Sequence, residues 1–314
     1  MDAFLLAHEP ILRLGSFFVV LLAMAAAEVV SPRRRREIPR LLRWANNLAL
    51  VALDTAILRL GLPVLAVGAA LWAESARAGL FHLLDPPRWL AIAATVVVLD
   101  LLVYAQHRLF HAVPVLWRVH RVHHADLEFD VTTGVRFHPI EILLSMLLKT
   151  AAVVALGAPP EAVVLFEIVL NAMALFTHSN VKLPERVEAL LRLVVVTPDM
   201  HRVHHSVRPI ETDSNFGFNL SLWDRLFGTY RPAPFGGHEG MIIGIELFRE
   251  PRELWLDRML TQPFRGAASG RGRRIERGEA DERAIERADE AARVAARELV
   301  DEGPPGARPR EQTP

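Results

Sequence analysis

The chain of 314 residues contains no cysteine, and its 36 Lys and Arg residues are balanced by 36 Asp and Glu residues. The lack of cysteine excludes disulfides, thiolate metal sites and cysteine-bound iron–sulfur clusters. The zero net charge gives no electrostatic reason to expect nucleic acid as a partner, and we predict none. What the chain has in abundance is hydrophobic residues, which make up 51% of it and exceed the usual share in a soluble protein.

Long apolar runs recur along the chain, as in integral membrane proteins. Five of them approach or reach the length needed to cross a bilayer: 11–30, 48–72, 89–104, 140–156 and 162–176. The run 48–72 is interrupted at Gly61 to Pro63 and is either one kinked span or a re-entrant pair. The pattern predicts an all-α, multi-pass helical bundle with about four to five spans.

Four consecutive arginines, Arg33 to Arg36, follow the first apolar run directly. A signal peptide carries its positive charge before the apolar segment, so this run is predicted to be an anchor. The positive-inside rule places the arginines in the cytoplasm. Counting spans from there predicts that the polar segments 109–136 and 181–241 form a helical cap on the cytoplasmic side.

The pentapeptide HRVHH occurs twice, at 120–124 and at 201–205, and a further pair, His107 and His111, precedes the first copy. Spacings of three and four residues place histidines on one face of a helix. A single cluster could equally be a packed core or a basic surface. Three clusters at ligand spacing, with eight imidazoles in all, predict a two-metal centre.

The third apolar run leads into these histidines through a polar stripe. Asp100, Tyr104, His107 and His111 are separated by four, three and four residues and share one face of a continuous helix. Asp100 is either an acceptor that orients a ligand histidine or a helix-end residue that faces water.

Several motifs between about residues 90 and 230 resemble, in the same order, those of the membrane fatty acid hydroxylase superfamily, also called the sterol desaturase family. The motifs are DLLVYAQHRLFH, LWRVHRVHH, RFHPIE, LFTHSN, TPDMHRVHHS and SNFGFNLSLWDRLFGTY. The resemblance implies a histidine-bound dinuclear non-haem iron centre on the cytoplasmic side. It also implies oxygen-dependent hydroxylation or desaturation of an apolar lipid, such as a sterol or a fatty acid.

Carried over residue by residue, the resemblance adds His138 and His178 to the eight clustered histidines. The predicted metal ligands are therefore His107, His111, His120, His123, His124, His138, His178, His201, His204 and His205. Residues predicted to support them by hydrogen bonds are Asp100, Tyr104, Asn219 and Asp224. No catalytic residue beyond the metal ligands is predicted.

The expected cofactors are two iron ions, with O2 as co-substrate and a membrane lipid as substrate. Neither an HPGG haem-binding segment nor a cysteine cluster is present, so electrons must come from a separate ferredoxin-type or cytochrome-type donor with its reductase. The lipid, the regiochemistry and the choice between hydroxylation and desaturation are not legible in the sequence.

Two alternatives from other classes stay open. A metal transporter would need ligands at mid-membrane depth, where Glu167 lies. A zinc-dependent membrane hydrolase would need an acid–base carboxylate beside the ligands, for which Glu141 and Asp199 are candidates.

The composition divides the chain into four predicted regions. These are an N-terminal transmembrane region at 1–88, the catalytic domain at 89–235, a further cap segment at 236–264 and a charged, partly disordered tail at 265–314.

Overall fold

We describe the protein from a computed structural model, in which residues 2–62 and 64–266 are described. Regular secondary structure in these ranges is helical, as the hydropathy pattern predicts. The predicted charged tail at 265–314 lies outside the described residues except for its first two positions.

Long helices alternate with shorter ones along the chain. In order, the α-helices are α1 (Asp2–Ala7), α2 (Glu9–Val30), α3 (Arg40–Gly61), α4 (Ala66–Ser75), α5 (Leu80–Leu84), α6 (Arg88–Ala112), α7 (Pro114–His124), α8 (Pro139–Leu156), α9 (Pro160–Thr177), α10 (Glu185–Leu191), α11 (Pro198–His204), α12 (Pro209–Thr212), α13 (Leu222–Leu226), α14 (Gly237–Gly240) and α15 (Leu256–Thr261). Short 3₁₀ turns lie at Val131–Val135, Pro251–Leu254 and Gln262–Phe264.

Five helical stretches are long and apolar enough to cross a membrane. They are α2, the stretch Arg40–Leu84 that holds α3 to α5, α6, α8 and α9. Within the second stretch, α3 alone has 22 residues, whereas α4 has ten and is too short to cross. The structure therefore interrupts the run 48–72 between α3 and α4, and α4 packs against α8 and α9.

One end of the bundle gathers the end of α2, the start of α3 and the ends of α6 and α9. Backbone hydrogen bonds of 2.9 Å from Arg33 to Asn180 and of 2.8 Å from Lys182 to Ser31 join the chain after α2 to the chain after α9. The polar segments 113–138 and 178–266 lie at this end. The histidine clusters are therefore brought to one end of the bundle.

Arg43 of α3 fastens the spanning bundle to the segment that follows α7. Its buried guanidinium donates to Asp126 at 2.7 and 2.9 Å and to Asp130 at 2.5 Å. Burial alone would raise the pKa of Asp126, but the adjacent Arg43 charge and its hydrogen bonds hold that pKa at about 2. The segment after α7 is thereby held against α3.

Gly134 allows the end of α9 to approach the 3₁₀ turn closely. A Cβ atom at this position would lie 2.4 Å from the carbonyl oxygen of Ala174 and 3.3 Å from Nδ1 of His178. Only glycine fits so close to another backbone, so Gly134 helps to set the position of His178.

Candidate metal centre

Nine buried histidines form two adjacent groups. The five histidines of the first group each place one ring nitrogen within 4.8 Å of the others: His107, His111, His120, His124 and His204. The four histidines of the second group do the same: His123, His178, His201 and His205. The groups adjoin, since the rings of His124 and His205 stack with centroids 4.6 Å apart.

Each copy of HRVHH supplies both groups, in opposite ways. In the first copy, on α7, His120 and His124 point to the first group and His123 to the second. In the second copy, on α11, His201 and the following His205 point to the second group and the intervening residue to the first. The i, i+4 pair of a helix shares one face, while the i+3 residue diverges enough to reach the neighbouring site.

Two carboxylates lie beside rings of the first group. Nδ1 of His120 lies 2.7 Å from a carboxylate oxygen of Glu141, the third residue of α8. Nδ1 of His111 lies 3.4 Å from Asp213. A hydrogen bond from Nδ1–H to a carboxylate fixes the tautomer, so that Nε2 carries the lone pair.

Backbone carbonyls orient two more rings of the first group. Nδ1 of His107 donates to the carbonyl of Phe216 at 2.9 Å, and Nδ1 of His204 donates to the carbonyl of Ser214 at 2.8 Å. Both acceptors lie in the loop between α12 and α13. The Nε2 atoms of His107 and His204 have no hydrogen-bond partner in residues 2–62 and 64–266.

Two rings of the second group are oriented by carbonyls rather than by carboxylates. Nδ1 of His178 donates to Ala174 at 2.8 Å, and Nδ1 of His123 donates to Arg136 at 3.3 Å. Aromatic rings pack beside both histidines: Phe137 stacks on His123 at 4.4 Å, and Phe129 stacks on His178 at 5.5 Å.

The ring nitrogens fit a pair of metal ions. Nε2 atoms approach one another at 3.0 Å between His201 and His178, at 3.1 Å between His178 and His123, and at 3.1 Å between His111 and His124. When Nδ1 donates to an acceptor, as it does in His178 and His123, Nε2 carries only a lone pair, and lone pairs that converge inside a protein need a shared cation.

Burial keeps these histidines neutral. It is the largest cause that lowers the pKa values of His123, His124, His201 and His205 well below the ordinary value, and the neighbouring histidines lower them further. Burial likewise lowers the pKa of His178 to about 4 and that of His204 to about 3. A neutral imidazole is the form that binds metals, so the site is ready to accept ions at neutral pH.

Comparison with known proteins agrees with this geometry, because residues 92–229 match the model of the fatty acid hydroxylase family. All nine grouped histidines lie within the matched residues.

Curated proteins named as hydroxylases or monooxygenases are similar in sequence to the chain. An ornithine lipid hydroxylase, OlsE, from Rhizobium tropici is 34% identical over 48% of this chain and 45% of its own length. An alkylglycerol monooxygenase from Danio rerio is 31% identical over 59% of this chain and 40% of its own. A cholesterol 25-hydroxylase from Rattus norvegicus is 27% identical over 44% of this chain and 46% of its own. The chain thus spans less than half the length of these relatives, and no solved structure matches it.

The structure does not bring His138 to either histidine group. Its Nδ1 accepts from the backbone N–H of Ile140 at 3.2 Å, and its Nε2 lies 3.2 Å from the carbonyl of Leu260. His138 therefore caps the start of α8 and ties that start to α15. The physical reason is that His138 is the N-cap residue of α8, so both of its ring nitrogens are engaged by these two contacts.

Asp100 and Tyr104 make no hydrogen bond to a grouped histidine in the described part of the chain. Asp100 accepts from the indole of Trp223 at 2.8 Å and from the backbone N–H of Leu220 at 3.2 Å. The hydroxyl of Tyr104 meets that of Thr229 at 2.9 Å. Both side chains attach the segment around α13 to α6, rather than orienting a ligand imidazole directly as predicted for Asp100.

Asp224 acts on the site through the backbone. Its carboxylate accepts from the N–H groups of Phe216 and Gly217, each at 2.7 Å. The carbonyl of Phe216 then holds His107. The side chain of Asn219 hydrogen-bonds Asp100, so any effect of Asn219 on the histidines passes through Asp100.

The two carboxylates beside the histidine rings were not predicted as their partners from the sequence. Glu141 was considered only as a hydrolase acid–base group, although it stands in the RFHPIE motif near the start of a span. Asp213 carried no signal, because its contact with His111 joins segments about one hundred residues apart.

Proposed function

We propose that the protein is a membrane-bound non-haem di-iron oxygenase that hydroxylates, or desaturates, a lipid. The observation that carries the proposal is the pair of buried, adjacent histidine groups inside the residues that match the fatty acid hydroxylase family. Its relatives are named for the hydroxylation of an ornithine lipid and of cholesterol and for the monooxygenation of alkylglycerols, and all of these substrates are lipids.

The nine grouped histidines would hold two iron ions, five rings serving one ion and four the other. Imidazole also suits zinc, copper and nickel, and iron is favoured here because the family resemblance implies it. When bound, the iron pair supplies the oxygen activation and hydrogen abstraction that no side chain can perform.

The chain's own residues supply geometry and a dry environment. The hydrogen bonds from His120 to Glu141 and from His107 to Phe216 fix the ring orientations. Buried aromatic rings pack beside the first group. The ring centroid of His111 lies 4.8 Å from that of Trp117 and 5.1 Å from that of Phe216. Such walls exclude water, which prevents side reactions at an oxidising site.

A lipid substrate can enter from the bilayer, because α6 presents His107 and His111 in its last two turns after a span of apolar residues. Inserting one oxygen atom into a C–H bond and reducing the other to water consumes two electrons and two protons. A chain without cysteine has no iron–sulfur group, so we propose a separate electron donor.

Specific contacts argue against the two alternatives. The mid-membrane Glu167 that a transporter could use is paired with Lys149 and, at 3.0 Å, with Arg13. Of the two acid–base candidates for a hydrolase, Asp199 is paired with Arg202 and, at 3.1 Å, with Arg33, and Glu141 is the hydrogen-bond partner of His120 at 2.7 Å. All three carboxylates therefore have structural partners.

We further propose that the histidine end of the bundle faces the cytoplasm, as the arginine-rich loop after α2 implies. A single cysteine introduced at the exposed Lys182 of this cysteine-free chain should react with an impermeant thiol reagent from the cytoplasmic side only. Labelling from the opposite side would contradict this orientation.

The reaction is tested with membranes that express the protein, incubated under ¹⁸O₂ with an electron donor and analysed by lipid mass spectrometry. We expect one labelled hydroxyl on one lipid class, or a loss of two hydrogens if the outcome is desaturation. Hydrolysed or unchanged lipids, in a preparation with a full iron complement and a working donor, would refute the oxygenase proposal.

A further inference from the structure

A pocket of about 490 Å³ lies between the loop that follows α2 and the segment that follows α7. The consecutive arginines Arg33 to Arg36 form one side of it. Leu127, Glu128 and Phe129 form the other side. The pocket therefore joins a cationic loop to a segment that directly follows the first copy of HRVHH.

Phe129 separates this pocket from the second histidine group. The side chain is 3% exposed, and its ring centroid lies 5.5 Å from that of His178 and 5.0 Å from that of His205. A molecule seated in the pocket would thus be one aromatic side chain away from two predicted metal ligands.

One of the arginines around the pocket, Arg35, has no partner among the described residues. Arg33 is paired with Asp199 and Glu239, both at 3.1 Å, and Arg36 is paired with Glu28 at 2.8 Å. Arg35 is exposed and has neither an ion pair nor a hydrogen bond with any residue in the described part of the chain.

Three acidic residues, Glu37, Glu128 and Glu239, line the pocket beside the four arginines, so its lining keeps an excess of one positive charge. Glu128 accepts from the backbone N–H groups of Glu37 and Ile38, at 2.5 and 2.9 Å, and Glu239 is the partner of Arg33. The rim of the pocket therefore offers a free guanidinium to an incoming anionic group.

We propose that this pocket is the docking surface of the electron donor, a small acidic one-electron carrier protein. The inference rests on the proposed oxygenase function, which requires two electrons from outside the chain. Electronic coupling falls steeply with distance, so a carrier must approach a metal ligand closely. Phe129, which lines the pocket, packs against His178 and His205. The free charge of Arg35 would orient an acidic carrier and raise its association rate.

The electron balance sets the number of encounters. Each encounter oxidises the carrier by one electron. Two encounters supply the two electrons that, with two protons, reduce one atom of O2 to water while the other atom enters the C–H bond.

The test compares Arg35→Glu with Arg186→Glu in the iron-loaded, full-length protein purified in detergent. Arg186 is a matched control, because it is an exposed arginine on the same side of the bundle without a partner among the described residues. The probes are a reduced plant-type ferredoxin and the soluble haem domain of a cytochrome b5, both acidic carriers. Two quantities are measured: the Kd of each carrier and the rate at which it is oxidised.

We expect Arg35→Glu to raise the Kd of at least one carrier by about tenfold at low salt, and the difference to shrink at high salt, where charges are screened. Arg186→Glu should leave the Kd unchanged. Reduction by dithionite, which is small and needs no docking surface, should proceed at the wild-type rate in both variants.

Equal effects of the two substitutions would overturn the proposal, and so would a wild-type protein that binds neither carrier in a salt-dependent way. A defect in Arg35→Glu that appears only in vesicles containing anionic lipid would assign the pocket to a lipid headgroup and overturn it as well. Carrier binding and metal reduction without any lipid oxidation would refute the proposed oxygenase function while leaving the docking surface supported.

Discussion

The two histidine groups differ in number and in what holds them. The first group has five rings, and its members His120 and His111 lie beside the carboxylates of Glu141 and Asp213. The second group has four rings, and the hydrogen bonds that orient two of them, His123 and His178, go to backbone carbonyls. The repeated pentapeptide thus builds two sites that are related in sequence but unlike in their surroundings.

This difference implies two inequivalent metals. An imidazole that donates to a carboxylate is a more basic ligand than one that donates to a carbonyl, so the first group should hold its ion more tightly and stabilise its higher charge. The second group lacks that support and lies beside Phe129 and the proposed docking pocket. The comparison therefore predicts distinct affinities and distinct roles for the two sites.

The largest effect should follow removal of a ring from the smaller group. His178→Ala leaves three nitrogens in the second group, whereas His107→Ala leaves four in the first. We expect His178→Ala to lose about one of the two metals and all measurable lipid oxidation, because a direct ligand matters more than the roughly 10–100-fold in affinity attributed to its outer partners. His107→Ala should retain more metal.

Iron per chain, measured by elemental analysis after dialysis, checks this prediction. His8→Ala serves as the control, because that exposed histidine of the N-terminal region belongs to neither group. Two full metals in His178→Ala would show that the second group is not a metal site.

The second effect should follow substitution of Glu141, a carboxylate that distinguishes the first group from the second. Glu141→Ala should lower the affinity of one metal by roughly 10–100-fold, because His120 loses the acceptor that fixes its tautomer. Glu141→Gln should have a smaller effect, since its amide oxygen can still accept from Nδ1. Chelator competition should show one metal leaving early and one at the wild-type rate. If both metals leave together, the groups are not independent sites.

The third effect is the loss of folding stability of the metal-free protein as the pH falls. The pKa values of His178 and His204, about 4 and about 3, lie below the 6.5 of an unfolded chain. The folded protein thus binds fewer protons than the unfolded one, and its stability falls as pH drops below about 6.5. The share due to His178 should be lost by about pH 4, and that due to His204 by about pH 3.

Thermal unfolding of the metal-free protein between pH 7.5 and pH 5 measures this loss. Asp126 does not contribute in that range, because its pKa of about 2 keeps it ionised. His178→Asn and His204→Asn should each flatten the dependence, since each removes one titrating group. An unfolding temperature independent of pH in this range would contradict the burial argument.

The smallest effect should come from Asp213. Its oxygen lies 3.4 Å from Nδ1 of His111, against 2.7 Å for Glu141 and His120, and its side chain is 20% exposed to solvent. Asp213→Asn should therefore lower metal affinity by well under the tenfold that is roughly the lower limit for a strong outer partner. The same chelator competition measures it, and a loss as large as that in Glu141→Ala would show that the distance does not govern the contribution.

Motifs and hydropathy predicted the helical membrane bundle and the residues that gather at one end of it. Runs of apolar residues identify spanning helices, because length and composition alone decide whether a helix can cross a bilayer. The spacing of HRVHH likewise placed its histidines on one side of a helix, and in the structure the i, i+4 pair and the remaining histidine reach neighbouring groups. His178 joined the grouped histidines as the family resemblance implied, whereas His138 did not.

The features that the amino-acid sequence encodes directly are therefore local: which segments are helices long enough to span, and which imidazoles each helix presents. Three features come from the fold: the nine histidines divide into five and four, Glu141 rather than Asp100 meets a histidine ring, and Arg35 lines a pocket floored by Phe129. They come from the fold because these contacts join residues far apart in the chain. Their distances depend on how α6, α7, α8 and α11 pack, and no periodicity within one helix encodes that packing.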